Sequence, residues 1–223
     1  LSSTLFAAGA VMFMLAIAHS AQAQVAIKLA TVVPENSIWD KQLKQMADEW
    51  KMATSGKVTV TVFSGGSQGD ETSVLRKMRL DALQAASLTV VGLAQIDPAF
   101  NVFNIPFFFD SYDELNAVTD ALTPTLKQKV DAKGFVLLNW GHGGWLQVFS
   151  KKPVKNVAEL KTLKLYTSAG DDRMTQFYKA NGYTPRAMAM TDVLTGLTTG
   201  MIEGLPTPPV AALDRKSTRL NSS

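Results

Sequence analysis

A strand that runs into a small-residue turn is the stretch of this sequence best suited to holding a ligand. Residues 160–172, LKTLKLYTSAGDD, alternate apolar and polar side chains as far as Tyr166 and then continue as Thr167-Ser168-Ala169-Gly170. A helix is predicted from Asp171 to Ala180, which places the turn at a helix N-terminus, where backbone N–H groups and the helix dipole favour an anion or a polar ligand. Open α/β sheets bind ligands at the carboxyl ends of their strands, so we expect Tyr166 to line a site there.

A second group of residues offers hydrolytic chemistry. The segment Gly65-Gly66-Ser67-Gln68-Gly69 fits G-x-S-x-G between a predicted strand and a predicted helix, which is the context of a nucleophile elbow. The segment Gly141-His142-Gly143-Gly144 contains the H-G-G sequence of a lipase oxyanion loop. Ser67, Asp110 and His142 would then form a triad in the chain order of the α/β-hydrolases.

Three observations weaken this serine hydrolase hypothesis. His142 is the only histidine after residue 23, so it would have to act as general base inside the oxyanion loop itself. That loop follows the nucleophile instead of preceding it, and the elbow comes after only the second strand. Glycines that adopt positive φ in a turn explain the segment more simply, and we expect no catalytic residues.

Both ends of the chain are predicted to lie outside the folded part. Residues 1–23 are uncharged, and their apolar run from Phe6 to Ala18 closes with Ala21-Gln22-Ala23, as in a secretory signal cleaved before Gln24. The run is short for a membrane span. Residues 215–223 break the apolar pattern that precedes them and are predicted to be an adaptor- or vector-derived tail. The signal predicts export to the periplasm.

The charge balance and the cysteine count exclude several classes of function. The formal net charge is +3, and Arg215, Lys216 and Arg219 in the predicted tail supply three positive charges, so the remainder is neutral. We therefore expect no nucleic-acid partner. The absence of cysteine excludes a Cys/His zinc site, fits an exported protein without disulfides, and leads us to expect no metal and no cofactor.

Alternating strands and helices predict a parallel sheet in the first part of the chain. Strands are predicted at Val25 to Thr31, Val58 to Phe63 and Leu88 to Leu93, and the helices between them begin after Ser37 and at Asp70. This order of strand, helix, strand, helix and strand is typical of an α/β domain whose helices cover the faces of a parallel sheet.

The elements after residue 100 are predicted to complete this domain and to begin a second one. Phe100 to Phe109 is expected to pack in the core, and Ser111 with Glu114 forms a capping box for a helix through Leu122. Further elements are a helix from Pro124 to Lys133, a strand from Phe135 to Trp140 that crosses between lobes, and a helix from Thr191 to Thr199.

Five segments carry a resemblance to a known family. They are Ile27-Lys28-Leu29-Ala30-Thr31 with Pro34-Glu35-Asn36-Ser37, Gly66-Ser67-Gln68-Gly69-Asp70-Glu71, Phe103-Asn104-Ile105-Pro106-Phe107, Lys152-Pro153-Val154 with the strand to Leu165, and Thr191-Asp192-Val193 with Leu197, Gly200, Ile202, Glu203 and Gly204. In this order and spacing they resemble the solute-binding subunits of TRAP (tripartite ATP-independent periplasmic) transporters. The resemblance covers Val25 to about Leu213.

The resemblance implies a fold and a division into lobes. The fold would be that of the type II periplasmic binding proteins, an α/β architecture of two lobes with mainly parallel sheets joined by crossing strands. Residues 24–143 would form lobe I and residues 144–214 a partial lobe II, because the family is longer than this chain. Its function would be capture of a small solute, commonly an organic or keto acid, for the membrane permease subunits of a TRAP transporter.

The resemblance also implies ligand-binding positions. In the family an arginine at the end of the second-lobe strand usually binds the ligand carboxylate, and a second basic residue lies upstream on the crossing strand. Those positions fall at Tyr166 and Leu146 here, so we expect a solute less charged than a dicarboxylate, or one bound with a cation. The other predicted contacts are Thr31, Gly92, Met190 and Thr207, with Trp39 and Trp145 as aromatic walls that could equally be core residues.

Two further interpretations stay open. An ABC-type binding protein would share the architecture, although the segment around Pro106 and the Glu203-Gly204 helix end favour the TRAP family. A ligand-sensing domain would use the same fold to feed a signalling partner. In each case the ligand would contact both lobes only when they close and would therefore shift the population towards the closed form.

Overall fold

The computed structural model describes residues 24–106 and 108–212, so the predicted signal, Phe107 and the predicted tail lie outside the described residues. The strands are β1 (Val25–Thr31), β2 (Val58–Phe63), β3 (Ala85–Ser87), β4 (Gln147–Ser150), β5 (Lys164–Ser168), β6 (Thr184–Met188) and β7 (Gly204–Thr207). The helices are α1 (Ile38–Ala53), α2 (Glu71–Arg79), α3 (Val90–Ile96), α4 (Tyr112–Asp131), α5 (Val157–Thr162), α6 (Asp172–Ala180) and α7 (Val193–Thr199). Two 3-10 helices span Pro98–Asn104 and Met190–Asp192.

The first sheet has the order β2-β1-β3, and both pairings are parallel. Strands β1 and β2 have the bounds that the sequence predicts, since their alternating β-branched residues match the period of a strand. Helix α1 begins after Ser37, whose hydroxyl accepts the N–H of Asp40, and α2 begins after Asp70, whose carboxylate accepts the N–H of Ser73. The predicted α/β fold with mainly parallel sheets is confirmed.

The second sheet has the order β4-β7-β5-β6, in which β5 pairs in parallel with β6 and β7 and only β4 is antiparallel. The sequence pattern does not predict β4, β6 or β7. Pro185 lies in β6 and Pro206 in β7, and a proline weakens the strand signal because it has no N–H for the ladder. β6 is an edge strand, where a proline is tolerated.

The prediction of a third strand from Leu88 to Leu93 is wrong. The strand is the short Ala85–Ser87, and most of the apolar run belongs to helix α3. A short apolar run does not distinguish a strand from a buried helix by its periodicity. A contact distant in sequence decides the outcome here, because the carboxylate of Glu71 accepts the backbone N–H of Thr89 at 2.5 Å.

The two helices predicted on either side of Thr123 are one helix, α4, with Pro124 inside it. Its start is as predicted, since the hydroxyl of Ser111 accepts the N–H of Glu114 at 3.1 Å. Burial explains its continuation through the proline: Thr119, Leu126 and Val130 are buried, a spacing that puts them on one face of a helix. Packing of this face offsets the hydrogen bond that Pro124 cannot make.

The strand predicted from Phe135 to Trp140 is also wrong. No strand is assigned to these residues, and the strand that joins the second sheet is β4, further along the chain. The apolar alternation nevertheless has a structural counterpart. Phe135, Leu137 and Trp140 pack against the core around Phe100, whereas Val136 is 76% exposed and Leu138 is 68% exposed.

Three clusters of buried side chains hold these layers together. The largest contains Leu75, Ile96, Phe100, Leu126 and Val130, so the expected core role of the segment from residue 100 holds for Phe100, while Phe108 is half exposed. A smaller cluster lies under the first sheet, and a third lies in the second sheet around Val193 and Ile202. Throughout residues 24–106 and 108–212, no helix has the length and apolar character needed to cross a membrane.

Candidate functional site

The glycine turn after β2 folds over the carboxyl end of β1. The N–H of Gly66 donates to the carbonyl of Thr31 at 3.0 Å, and the N–H of Gly65 donates to the carbonyl of Val33 at 2.8 Å. Thr31 is buried, and its hydroxyl accepts the N–H of Val33 at 3.3 Å. The turn and the strand end therefore form one edge of the first sheet.

A buried carboxylate, that of Asp40, fixes this edge from α1. It accepts the hydroxyl of Ser64, the N–H of Asn36 at 2.7 Å and the ammonium of Lys44 at 2.9 Å. Burial alone would raise the pKa of Asp40, but the bonds from Ser64, Lys44 and Asn36 outweigh it, so that the pKa is lowered from 3.8. Asp40 thus ties together the loops that follow β1 and β2.

A second buried carboxylate, that of Glu71, caps helix α3. It accepts both the N–H of Thr89, at 2.5 Å, and the hydroxyl of Thr89, at 2.7 Å, together with the N–H of Gly92. Burial raises the pKa of Glu71 from 4.5, and these hydrogen bonds only partly oppose the effect. A Cβ at Gly92 would lie 2.7 Å from a Glu71 oxygen, so glycine is required for this close approach.

The turn after β5 is less open to an anion than the sequence suggests. The carboxylate of Asp171 caps α6 by accepting the N–H of Met174 at 3.0 Å. Two neighbouring donors are also engaged, because the N–H of Ala169 donates to Met188 and the N–H of Asp171 donates to Ser168. Internal partners therefore occupy three of the N–H groups at this turn, and the anion or polar-ligand site expected at this helix N-terminus stays a prediction.

The edges of the two sheets meet through their turns. The backbone of Gly66 lies against Thr191, since a Cβ at Gly66 would come within 2.1 Å of the Thr191 methyl carbon. The backbone of Gly170 lies in the same way against Gln95, and the amide nitrogen of Asn104 lies 3.4 Å from a carboxylate oxygen of Asp171. We call this meeting region the inter-sheet cleft.

The predicted ligand residues on the second sheet lie in its core and along its strands. Tyr166 is only 6% exposed, stands third in the five-residue β5 instead of at its end, and packs with Val193 and Ile202. Met190 packs against the same cluster, with its sulfur 4.0 Å from the hydroxyl of Tyr166. Thr207, the last residue of β7, is buried and pairs with Gln147.

The remaining predicted residues are spread more widely. Trp145 is 39% exposed and its ring lies 5.0 Å from that of Tyr112, while the next residue, Leu146, is 63% exposed. Trp39 is half-buried on α1, and Gly92 contacts Glu71 as described above. The structure brings Tyr166 and Met190 together, and it places Thr31 beneath the glycine turn. The roles of all eight residues in ligand binding stay predictions.

The residues proposed for hydrolysis are not assembled. Ser67 is exposed on the turn after β2, whereas the ring of His142 stands edge-on to Tyr112 at 5.9 Å. Within residues 24–106 and 108–212, no hydrogen bond joins Ser67 to His142, and no group of three His, Cys, Asp or Glu residues is arranged to hold a metal ion.

Sequence reasoning missed the residues that shape this region most directly. Glu71 was noted only as part of a family motif, Asp40 was not predicted to take part, and nothing in the sequence pattern indicated their partners Ser64 and Thr89. Gln95 belongs to none of the predicted motifs. Each of these side chains acts through a contact distant in sequence: Ser64 follows Asp40 by 24 residues, and Thr89 follows Glu71 by 18.

Comparisons with known proteins give a consistent result. Residues 29–221 match the family model described as bacterial extracellular solute-binding protein, family 7. The C4-dicarboxylate-binding periplasmic protein DctP of Rhodobacter capsulatus is 27% identical over 205 residues, which is 90% of this chain and 61% of that protein. The 2,3-diketo-L-gulonate-binding periplasmic protein YiaO of Escherichia coli is 26% identical over 74% of this chain and 51% of its own length.

Solved structures agree with these matches. A TRAP periplasmic solute-binding protein from Sulfurospirillum deleyianum with bound succinate superposes with a TM-score of 0.79 at 26% identity, over 89% of this chain and 64% of that one. A protein of the same description from Pseudomonas putida, with bound D-glucuronate, superposes with a TM-score of 0.78 at 26% identity, over 87% of this chain and 64% of that one. The chain spans about half the length of the curated relatives it matches, 61% and 51% for the two named above.

The raised pKa of Glu71 predicts a pH-dependent difference from the Glu71→Gln variant. The folded state binds the proton more tightly than the unfolded chain, because its pKa lies above 4.5. The wild type should therefore lose free energy of unfolding relative to the variant as the pH rises from below 4.5 through the raised pKa. Urea unfolding followed by tryptophan fluorescence at a series of pH values measures this difference.

The matched control is Asp40→Asn, for which the sign is opposite. The pKa of Asp40 is lowered, so its stabilisation is present above 3.8 and is lost as the pH falls through the folded-state pKa. Near neutral pH we expect this variant to be less stable than the wild type by about 2 kcal/mol, because the hydrogen bonds that the buried carboxylate accepts from Ser64 and Asn36 are weakened. A Glu71→Gln difference that stays constant with pH would contradict the assignment.

Proposed function

The chain belongs to family 7 of the bacterial extracellular solute-binding proteins, and from that membership we propose that it captures a small organic acid outside the cytoplasmic membrane. The observation that carries the proposal is the family match over residues 29–221. We propose further that the protein is exported to the periplasm and delivers its solute to the permease subunits of a TRAP transporter. Periplasmic relatives and TRAP proteins among the similar solved structures support both steps.

The class of solute follows from what the relatives bind and from where this chain departs from them. The names of similar proteins give C4-dicarboxylates and 2,3-diketo-L-gulonate, and similar structures hold succinate and D-glucuronate, all of which are organic acids. At the two positions where the family resemblance implies basic residues, this chain has a buried tyrosine, Tyr166, and an exposed leucine, Leu146. We therefore propose a hydroxy or keto acid with one carboxylate in preference to a dicarboxylate.

Closure of the inter-sheet cleft is the proposed mechanism. The turns at Gly66 and Gly170 already touch residues on the opposite side of the cleft, so we infer that the conformation described here is the closed one. A solute that contacts both edges binds this form more tightly than the open form and shifts the population towards it. Release would require the turns to separate.

Thermal-shift measurements on the protein expressed from its complete gene test the proposal. The panel contains the hydroxy acids gluconate and glycerate, the keto acids pyruvate and 2-oxobutanoate, the dicarboxylates succinate and adipate, the unsubstituted acids butanoate and hexanoate, and representative sugars and amino acids, each with and without calcium. A solute at about 100 times its dissociation constant adds roughly 2.7 kcal/mol of stability. We expect a clear rise of the midpoint with a hydroxy or keto acid, whereas a cooperatively melting protein that responds to no acid would contradict the proposal.

Gly66→Ala tests the closure mechanism. The new methyl group would lie 2.1 Å from the Thr191 methyl carbon, a clash that exists only when the two edges are together. We expect the affinity for the solute to fall about tenfold, which corresponds to roughly 1.4 kcal/mol lost from the closed form. Isothermal titration calorimetry measures this loss of affinity, with the solute of the panel that raises the midpoint most.

Gly65→Ala provides a matched control. Its φ of +65° is close to the +70° of Gly66, so the backbone strain is similar, but nothing lies within 4 Å of the new methyl group. This variant should keep the wild-type affinity. The double variant Gly66→Ala with Thr191→Ser removes the clashing methyl group and should recover most of the loss, whereas equal effects of Gly65→Ala and Gly66→Ala would count against closure.

A further inference from the structure

The side-chain amide of Gln95 on α3 has only one of its two polar atoms in use. Its oxygen accepts the hydroxyl of Thr72 at 3.0 Å. Its nitrogen, Nε2, is buried and has no hydrogen-bond partner, which is true of no other buried side-chain nitrogen or oxygen in the described part of the chain. Most buried polar groups in proteins are paired, because an unsatisfied one keeps the cost of its lost hydration. The amide nitrogen therefore calls for an acceptor that none of the described residues supplies.

Gly170, across the inter-sheet cleft, makes room for this amide. A Cβ at Gly170 would lie 3.0 Å from Nε2 of Gln95 and 3.5 Å from the hydroxyl oxygen of Thr72. The φ of Gly170 is +89°, so both the turn and the contact require a residue without a side chain. In this conformation the turn after β5 thus covers Nε2 without providing it with an acceptor, so an outside acceptor reaches this atom only when the turn lies further from α3.

The position of Gln95 coincides with the region where the solute would bind. Helix α3 follows β3, and Gly170 follows β5, so the amide lies between the carboxyl edges of the two sheets, where open α/β sheets bind ligands. This step rests on the proposed function. We propose that Nε2 of Gln95 donates a hydrogen bond to an oxygen atom of the bound solute and that Gln95 is a specificity-determining residue.

The charges near Gln95 indicate which kind of oxygen it receives. Asp171 follows Gly170 directly, and its carboxylate accepts from Met174 and lies 3.4 Å from the amide nitrogen of Asn104. Asp172 adds a second negative charge at the start of α6. A carboxylate of the solute would be repelled here, whereas a hydroxyl or keto oxygen accepts from Nε2 without that cost. The end of the solute that meets Gln95 therefore carries a neutral oxygen.

Gln95→Met separates a role in solute binding from a role in folding. Methionine has a similar length and no donor, and the hydroxyl of Thr72 is on an exposed residue that can bond to water instead. Without solute, the melting midpoint of the variant should be unchanged or higher than that of the wild type, because the unpaired donor is gone. With gluconate, glycerate, pyruvate or 2-oxobutanoate, whichever binds the wild type, the affinity should fall about tenfold, as is usual for the loss of one hydrogen bond.

Gln84→Met is the matched control, because the amide of Gln84 is fully partnered. Its oxygen accepts the N–H of Lys28 at 3.1 Å, and its nitrogen donates to the carbonyl of Asp81 at 2.8 Å. This variant should melt at a lower midpoint than the wild type and keep the wild-type affinity. Gln95→Met is thus expected to lose affinity without losing stability, and Gln84→Met is expected to lose stability without losing affinity.

Each outcome of the measurement has a definite meaning. A hydroxy or keto acid whose affinity drops in Gln95→Met but not in Gln84→Met supports the proposal. The proposal is overturned if Gln95→Met keeps the wild-type affinity, if Gln95→Met melts well below the wild type without solute, or if the wild type binds only succinate or adipate. The proposed capture of an organic acid survives all three of these results. A wild type that binds no acid of the panel overturns both.

Discussion

The buried carboxylate of Glu71 is the interaction on which the geometry of the inter-sheet cleft most depends. It receives the N–H and the hydroxyl of Thr89 and the N–H of Gly92, and so it caps α3 from a different helix. Without this cap, an apolar segment that follows a strand could continue as a strand. The cap ends the strand-forming region after Ser87 and turns the chain into α3, which presents Gln95 to the second sheet.

The second constraint is that the two edges approach through backbone at Gly66 and Gly170. Both glycines have positive φ, so their turns would be strained with any other residue, and both lie so close to a side chain across the cleft that a Cβ would crowd it. The same two residues therefore satisfy a local and a long-range requirement. Glycines that only formed turns, such as Gly65, would tolerate a methyl group as far as space is concerned.

Elements defined by local pattern could be predicted from the sequence, and elements defined by distant partners could not. β1 and β2 have their predicted bounds, because the alternation that defines a strand lies within the strand itself. Helices α1 and α2 likewise begin as predicted, because their caps, Ser37 and Asp70, directly precede them. The run from Leu88 has a strand-like pattern, and the residue that caps it as a helix, Glu71, lies far from it in sequence. Strands β6 and β7 contain Pro185 and Pro206, which weaken the strand pattern, and they form by pairing with β5.

The candidate site follows the same rule. The carboxyl ends of the strands were identified as the binding region from topology, and the chain does bring the turns after β2 and β5 to the cleft. The placement of Tyr166 at the end of β5 was one such inference, but the side chain lies within the strand and packs with Val193 and Ile202. A single sequence does not indicate which buried polar atoms lack a hydrogen-bond partner, because that depends on every contact around them.

The distribution of hydrogen bonds in the cleft bears on how a solute would be held. Three of the carboxylates near its edges accept donors from the chain itself: Asp40 from the first loops, Glu71 from α3 and Asp171 from α6. Three N–H groups at the turn after β5, those of Ala169, Asp171 and Met174, are engaged as well. Recognition by opposite charge is thereby weakened, and a neutral donor such as the amide of Gln95 gains in importance. A chain that has tyrosine and leucine where its family places basic residues would then select its solute by hydroxyl or keto oxygens more than by total charge.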